Sequence, residues 1–117
     1  MNANLLDDGE RLCIVDWEYA GMGDPFFDLA NFSVNHELDE PGRHLLLEAY
    51  FGEVRTDDVA ALELMRFMSD FREAMWGVVQ TAVSELDFDF AAYASEHFER
   101  LERTSAAPAF QNALAGM

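Results

Sequence analysis

The chain is short of cysteine, of basic residues and of long apolar runs, and each shortage removes a class of protein. A single cysteine, Cys13, in 117 residues excludes an internal disulfide and suits a reducing compartment. Its neighbours Leu12 and Ile14 are apolar, so it reads as a core thiol rather than a reactive one. Seven basic residues against 23 acids give a formal net charge of -16. Such a surface repels a phosphate backbone, which argues against a nucleic-acid partner and in favour of cations, metal ions or basic partners. No run of about 18 apolar residues could span a bilayer. The opening "MNANLLDDGER" lacks the basic and apolar regions of a signal peptide. The expectation is a soluble cytoplasmic protein with no membrane partner. Half the residues are hydrophobic and 13% aromatic, which excludes a disordered chain and is enough for one modest domain.

What is there reads as a mainly α chain: an N-terminal β-hairpin over 4–16 followed by a helical bundle. Two short apolar runs flank Asp7-Asp8-Gly9, a turn signal in which Asp-Gly favours positive φ. The second strand, 11–15, is nearly continuous apolar in its middle, as a strand buried on both faces would be. Asp24 can cap a helix with Pro25 at its first position, where the missing N–H costs nothing. The spacing of apolar residues predicts helices over 25–37, 41–51, 56–86 and 88–105. Residues 106–117 form a low-charge tail in which Pro108 is a break that one short helix can follow. No internal repeat is visible, and a single domain is expected within these residues.

Asp16 stands where the apolar strand stops and a loop containing Gly21 and Gly23 begins. One reading is an acid that ends a strand; the other is a carboxylate placed to hold a metal ion. The surrounding "NLLDDGERLCIVDWEYAGMGDPFFDLAN", residues 4–31, resembles the choline/ethanolamine kinase and aminoglycoside phosphotransferase group, whose fold is related to protein kinases. The likeness continues through "WGVVQTAVSELDFDFAAYASEHF" and covers the chain to about residue 103. It implies that residues 1–105 form part of a kinase-like C-terminal lobe, with Mg²⁺ and ATP as cofactors and a small cationic amino alcohol as substrate.

By that resemblance Asp16 and Asn4 are metal ligands, since a bridging Mg²⁺ needs hard oxygen donors. Asp28 matches the acid that braces the catalytic loop. Asn35, Glu73, Trp76 and Tyr93 match positions around an alkylammonium, where aromatic faces supply cation–π attraction. Asn35 falls where many relatives carry an acid, and Glu73 where some carry a second tryptophan. Those departures leave amino alcohols other than choline open. The catalytic loop pattern H-x-D-x-x-x-x-N is met only at its last position, Asn4. The resemblance therefore places the general base before Met1, together with the glycine-rich strands and the ATP-binding lysine. The 117 residues are expected to be inactive alone, and either to self-associate or to need a missing N-terminal lobe.

Plainer readings stand beside these. Asn4 can be a frayed strand entry, Asp28 a first-turn acid that complements the helix dipole, and Trp76 and Tyr93 core aromatics. Should Asp28 be buried without a partner, it would cost several kcal/mol or take up a proton. His36, His44 and His97 show no zinc-ligand spacing and read as surface or core residues. Glu85, Asp87 and Asp89 read as a solvated junction with helix caps. The competing function is an acidic helical module that binds a cationic ligand or partner chain without chemistry.

Overall fold

In a computed structural model describing residues 4–17 and 20–117, the hairpin consists of β1, Leu5–Asp7, and β2, Leu12–Ile14. The strands are antiparallel, with Leu5 opposite Ile14, Leu6 opposite Cys13 and Asp7 opposite Leu12. Carboxylates close the turn between them. Asp7 Oδ1 accepts from the Gly9 N–H at 2.9 Å, and Asp8 Oδ1 accepts from Glu10 at 2.9 Å and Arg11 at 2.7 Å. These backbone donors, Glu10 first, hold the Asp8 carboxyl below its ordinary range. Gly9 has a φ of +88°, which glycine adopts without the Cβ penalty.

The covering layer that the apolar run 11–15 calls for is not present among the described residues. Leu12 is 65% and Ile14 58% exposed, and Cys13 is exposed rather than a core thiol. The reason is topological. The sheet has two strands, so apolar continuity in the sequence finds no opposing layer to bury against.

Helix α1, Pro25–Asn35, starts at Asp24, whose side chain accepts from the Phe26 N–H at 2.9 Å. Helix α2, Glu40–Phe51, is capped by Asp39 and ends at Gly52, where φ is +77°. Helix α3, Thr56–Val83, runs about 42 Å at 1.5 Å per residue. At its start Asp58 Oδ2 accepts from the Arg55 N–H at 3.0 Å, closing the first turn. It stops three residues short of the expected Leu86. Ser84 turns to extended backbone, and its hydroxyl accepts from the Leu86 N–H, a local bond that competes with the helix. Asp89 caps α4, Phe90–Ala106, through the Ala92 N–H at 2.9 Å.

The long α3 is the spine on which α1, α4 and the final helix α5, Pro108–Ala115, pack. On one side Leu29, Ala30, Leu47 and Leu62 form the core, edged by Phe26, Leu46, Val54 and Met65. On the α4 side Gly77 permits a close approach: a Cβ there would lie 3.0 Å from Ala94 Cβ and 3.1 Å from Tyr93 Cδ1. The final residues do more than trail. Pro108–Ala115 form α5, with the Phe110 ring 5.3 Å from the Phe67 ring between centroids. Among the described residues no helix is long and apolar enough to cross a membrane.

Candidate functional site

Helical spacing brings three segments around one groove of about 730 Å³. Phe27, Asp28 and Asn31 come from one face of α1, Arg72, Glu73 and Trp76 from α3, and Tyr93 from α4. The Tyr93 hydroxyl donates to Glu73 Oε2 at 2.6 Å. Burial first, and the Glu73 carboxylate second, push the Tyr93 phenol well above its ordinary value. Trp76 meets Tyr93 edge-on, with centroids 5.6 Å apart and planes at 73°, and meets Phe90 likewise at 5.7 Å. Trp76 keeps 48% of its surface exposed, so an aromatic surface remains open to a ligand. Arg72 lies over Phe27, 5.4 Å from the ring centroid.

Of the residues expected around an amine, Glu73, Trp76 and Tyr93 share this groove, and Asn35 does not line it. The Asn35 amide instead donates to the Asn31 carbonyl at 2.8 Å and to Asn31 Oδ1 at 2.7 Å. Asn31 Oδ1 also accepts from the Ser69 hydroxyl at 3.2 Å, which ties α1 to α3. Asp28 is exposed and lines the groove, so the cost of a buried, unpaired acid does not arise. Phe27, Asn31 and Arg72 complete the lining; their signal in the sequence is their helical offset from Asp28, Glu73 and Trp76.

A buried polar layer lies behind the groove. Asp70 is fully buried. Its Oδ1 accepts from Arg100 Nε at 2.7 Å and contacts Arg100 Nη2 as well. His97 Nδ1 lies 3.2 Å from the same oxygen, and the His97 and Tyr93 rings are 4.5 Å apart between centroids. Arg100 Nη1 reaches the Val34 carbonyl at 3.3 Å. The layer thus joins α1, α3 and α4 directly beneath Tyr93.

The other candidate end is the base of the hairpin. Val15 donates its N–H to the Asn4 carbonyl at 2.9 Å, so Asn4 sits beside the residue preceding Asp16. Asp16 is exposed and has a φ of +64°. A left-handed backbone costs a non-glycine residue about 1–2 kcal/mol, and Asp tolerates it better than most. The Trp17 indole N–H donates to the Ile14 carbonyl at 2.7 Å, which fastens the chain on the other side. An amide and a carboxylate at one end of a hairpin are the oxygen donors a magnesium ion takes. Among the described residues no three His, Cys, Asp or Glu side chains gather into a metal cluster. Glu18 and Tyr19 of the quoted motif lie outside the described residues.

The architecture is a two-stranded hairpin feeding a helical layer. Residues 1–67, more than half the chain, match the phosphotransferase enzyme family APH, and the chain belongs to that family. Protein LicA of Haemophilus influenzae is 30% identical over 95 residues, covering 75% of this chain and 36% of that protein. Probable choline kinase 2 of Arabidopsis thaliana is 24% identical over 123 residues, covering 85% of this chain and 35% of that protein. The crystal structure of a choline/ethanolamine kinase family protein from Mesorhizobium loti matches with a TM-score of 0.87 at 39% identity. That match covers 96% of this chain and 38% of the other. The chain therefore spans little more than a third of these relatives, and resembles the C-terminal portion of a choline/ethanolamine kinase-like protein.

Proposed function

We propose that the chain carries the amine-binding end of an ATP-dependent phosphotransferase that acts on the hydroxyl of a small amino alcohol such as choline or ethanolamine. The observation that carries this reading is the Tyr93–Glu73 hydrogen bond beside the exposed Trp76. It fixes an acid next to two aromatic rings, a combination suited to an alkylammonium and unsuited to an anion. The bond also immobilises both side chains before a ligand arrives, which lowers the entropy of capture. Asp28 adds a second carboxylate to the groove wall, while Arg72 opposes a cation from its place over Phe27.

In this reading Asp16 and Asn4 hold Mg²⁺, which when bound neutralises phosphate charge during transfer. Asp16 has a left-handed backbone just past the end of β2, and the Asn4 carbonyl accepts from the N–H of its neighbour Val15. Asp28 keeps open its second role, as support for a catalytic loop. The 117 residues contain no H-x-D sequence, so a polypeptide of this length is expected to lack the general base. A base is typically worth 10²–10⁴-fold. Measured alone with ATP and choline, ethanolamine or an aminoglycoside, it should give no turnover; clear turnover abolished by Asp16→Ala would contradict this.

Titrating choline and ethanolamine into a Trp17→Phe variant, with the Trp76 indole followed by NMR, tests the groove directly. Two partly desolvated rings at about 1–2 kcal/mol each suggest binding in the millimolar range. A saturable shift that disappears in Tyr93→Ala, with helicity retained by circular dichroism, is the expected result. No shift up to tens of millimolar would make these aromatics core residues and overturn the reading. Amine binding by a longer protein that never binds ATP would favour the non-catalytic module instead.

A further inference from the structure

The chain has no lysine, so its seven arginines are its whole basic complement. Four of them line one groove of about 260 Å³: Arg43 from α2, Arg66 from α3, and Arg100 and Arg103 from α4. Glu63 and Thr104 are also in its wall, and it shares no lining residue with the amine groove. Gathering four of seven cations in a chain of net charge -16 runs against the electrostatics of the rest of the surface.

The carboxylates within reach do not balance them. Glu63 takes Arg43, with Nε 2.7 Å from Oε1, and Arg66, with Nη1 2.8 Å from Oε2. Asp70 takes Arg100. Arg103 has no ion pair among the described residues. Four guanidiniums against two carboxylates leave an excess of two positive charges. Donors are left over as well. Arg66 Nε is buried with no hydrogen-bond partner among the described residues, and Arg43 Nε is close to Glu63 without being aligned for a hydrogen bond. Burial holds the Arg66 guanidinium below its ordinary value, Glu63 opposes that, and the Arg43 charge adds to it. Leaving buried donors and an uncompensated charge together is costly unless something supplies acceptors.

We infer that this groove binds an oxyanion of the phosphate class, as the free ion or as the head of a small phosphate monoester. Guanidinium forks match tetrahedral oxyanions through paired charge-assisted hydrogen bonds, which distinguishes this set from a scatter of surface charge. The volume lies below the roughly 300–1,000 Å³ of sites for larger ligands, so it suits an ion or a short ester and not a nucleotide. Glu63 faces the same space, but both of its oxygens are engaged by Arg43 and Arg66, so it organises the arginines rather than repelling the ligand unscreened. The inference is independent of what the amine groove binds.

Calorimetric titration of the 117-residue chain with inorganic phosphate and, separately, glycerol 3-phosphate tests it, at constant ionic strength set by sodium chloride. Saturable binding is expected. Arg103→Gln, which breaks no ion pair, should weaken it by roughly fivefold, and Tyr93→Phe in the other groove should leave it unchanged. Arg66→Gln should weaken it further; should that variant fail to fold, Arg103→Gln alone decides. Tighter binding of glycerol 3-phosphate assigns the site to a monoester, and equal or tighter binding of phosphate assigns it to the ion. No saturable heat with either ligand up to tens of millimolar, or equal affinity in Arg103→Gln, overturns the inference.

Discussion

Between β1 and β2 the hydrogen bonds are local and the apolar side chains of Leu6, Leu12 and Ile14 face water. Between α3 and α4 the contacts are long-range and even a carboxylate, Asp70, is buried. Leu12 and Ile14 are mostly exposed, and the hairpin owes its shape to Asp7 and Asp8 closing their own turn. At the helical seam Asp70 gathers Arg100 and His97, Gly77 lets the backbones approach, and Tyr93 is held to Glu73. The difference separates two kinds of site. Groups on the seam are positioned by packing within this chain, whereas Asn4 and Asp16 sit on an element whose apolar face none of the described residues covers.

The largest effect that would sharpen this contrast is expected at Asp70. Removing one partner of a buried ion pair typically costs 3–5 kcal/mol, because the remaining charge is left without compensation. Arg100 retains some exposure, 22% of its side chain, so about 3 kcal/mol is expected for Asp70→Ala in urea unfolding. Replacing the pair together, Asp70→Leu with Arg100→Met, should recover much of that loss. A cost below about 1 kcal/mol for Asp70→Ala would show that the layer does not hold the seam, and the contrast with the hairpin would fail.

Next is Gly77→Ala. Alanine gains about 1 kcal/mol of helix propensity over glycine. Against this, the new methyl would meet Ala94 Cβ at 3.0 Å and Ala94 Cα at 3.2 Å, and overpacking typically costs 1–3 kcal/mol. The net expectation is a loss of about 1 kcal/mol, with the Trp76 and Tyr93 signals shifted in NMR spectra as α4 moves outward. Stabilisation by this substitution would mean that the seam is looser than the fold indicates.

How much of this could be read beforehand depended on whether a residue's role was local. Turn and cap positions were legible because Asp8-Gly9, Asp24-Pro25 and Asp89 act on neighbours in sequence. The run from Leu12 to Val15 was legible as a strand in need of cover, because apolar continuity reports a preference for burial and not the presence of a layer that satisfies it. Glu73, Trp76 and Tyr93, which share the groove, are singled out in the sequence by motif resemblance alone. Arg72 was missed because an arginine on a helix face ordinarily signals solvent. Asp70, His97 and Arg100 carry only a weak signal in the sequence. Position 70 continues the stripe Leu62, Ala74 and Gly77, where a polar residue has to find a buried partner. Nothing local told that the partners lay 27 and 30 residues away.

The groove's own pH dependence is a smaller effect. Because the folded state holds the Tyr93 phenol above its ordinary value, folding favours the protonated form. That contribution is fully present below the unfolded tyrosine value of about 10. It is lost as pH rises through the folded value, when the phenolate would face Glu73. Ultraviolet titration of the chain, with the same titration of Tyr93→Phe subtracted, should show Tyr93 ionising above pH ~10. Glu73→Gln should move that ionisation down, since the Glu73 charge that helps raise it is removed. Ionisation at or below pH ~10 in the unmodified chain would place Tyr93 in water and open the groove's aromatic wall.

The smallest expected change in stability is at the hairpin, and there a null result is the informative one. Leu12→Ser with Ile14→Thr removes two exposed apolar side chains while keeping a β-branched residue in the strand. Surface substitutions of this kind usually fall within about 0.5 kcal/mol, so the urea midpoint should hardly move. Self-association should fall instead, because uncovered apolar strand surface is a template for pairing with another copy. In the unmodified chain that association should grow with salt, as the mutual repulsion of chains carrying -16 is screened within about 10 Å at 0.1 M. Sedimentation at low and high salt measures both effects. A loss of more than about 1.5 kcal/mol in the double variant would mean that residues 12–14 are buried in solution, since only packed side chains cost that much to truncate. The hairpin would then have the same kind of support as the seam, and Asp16 would be held as firmly as Glu73.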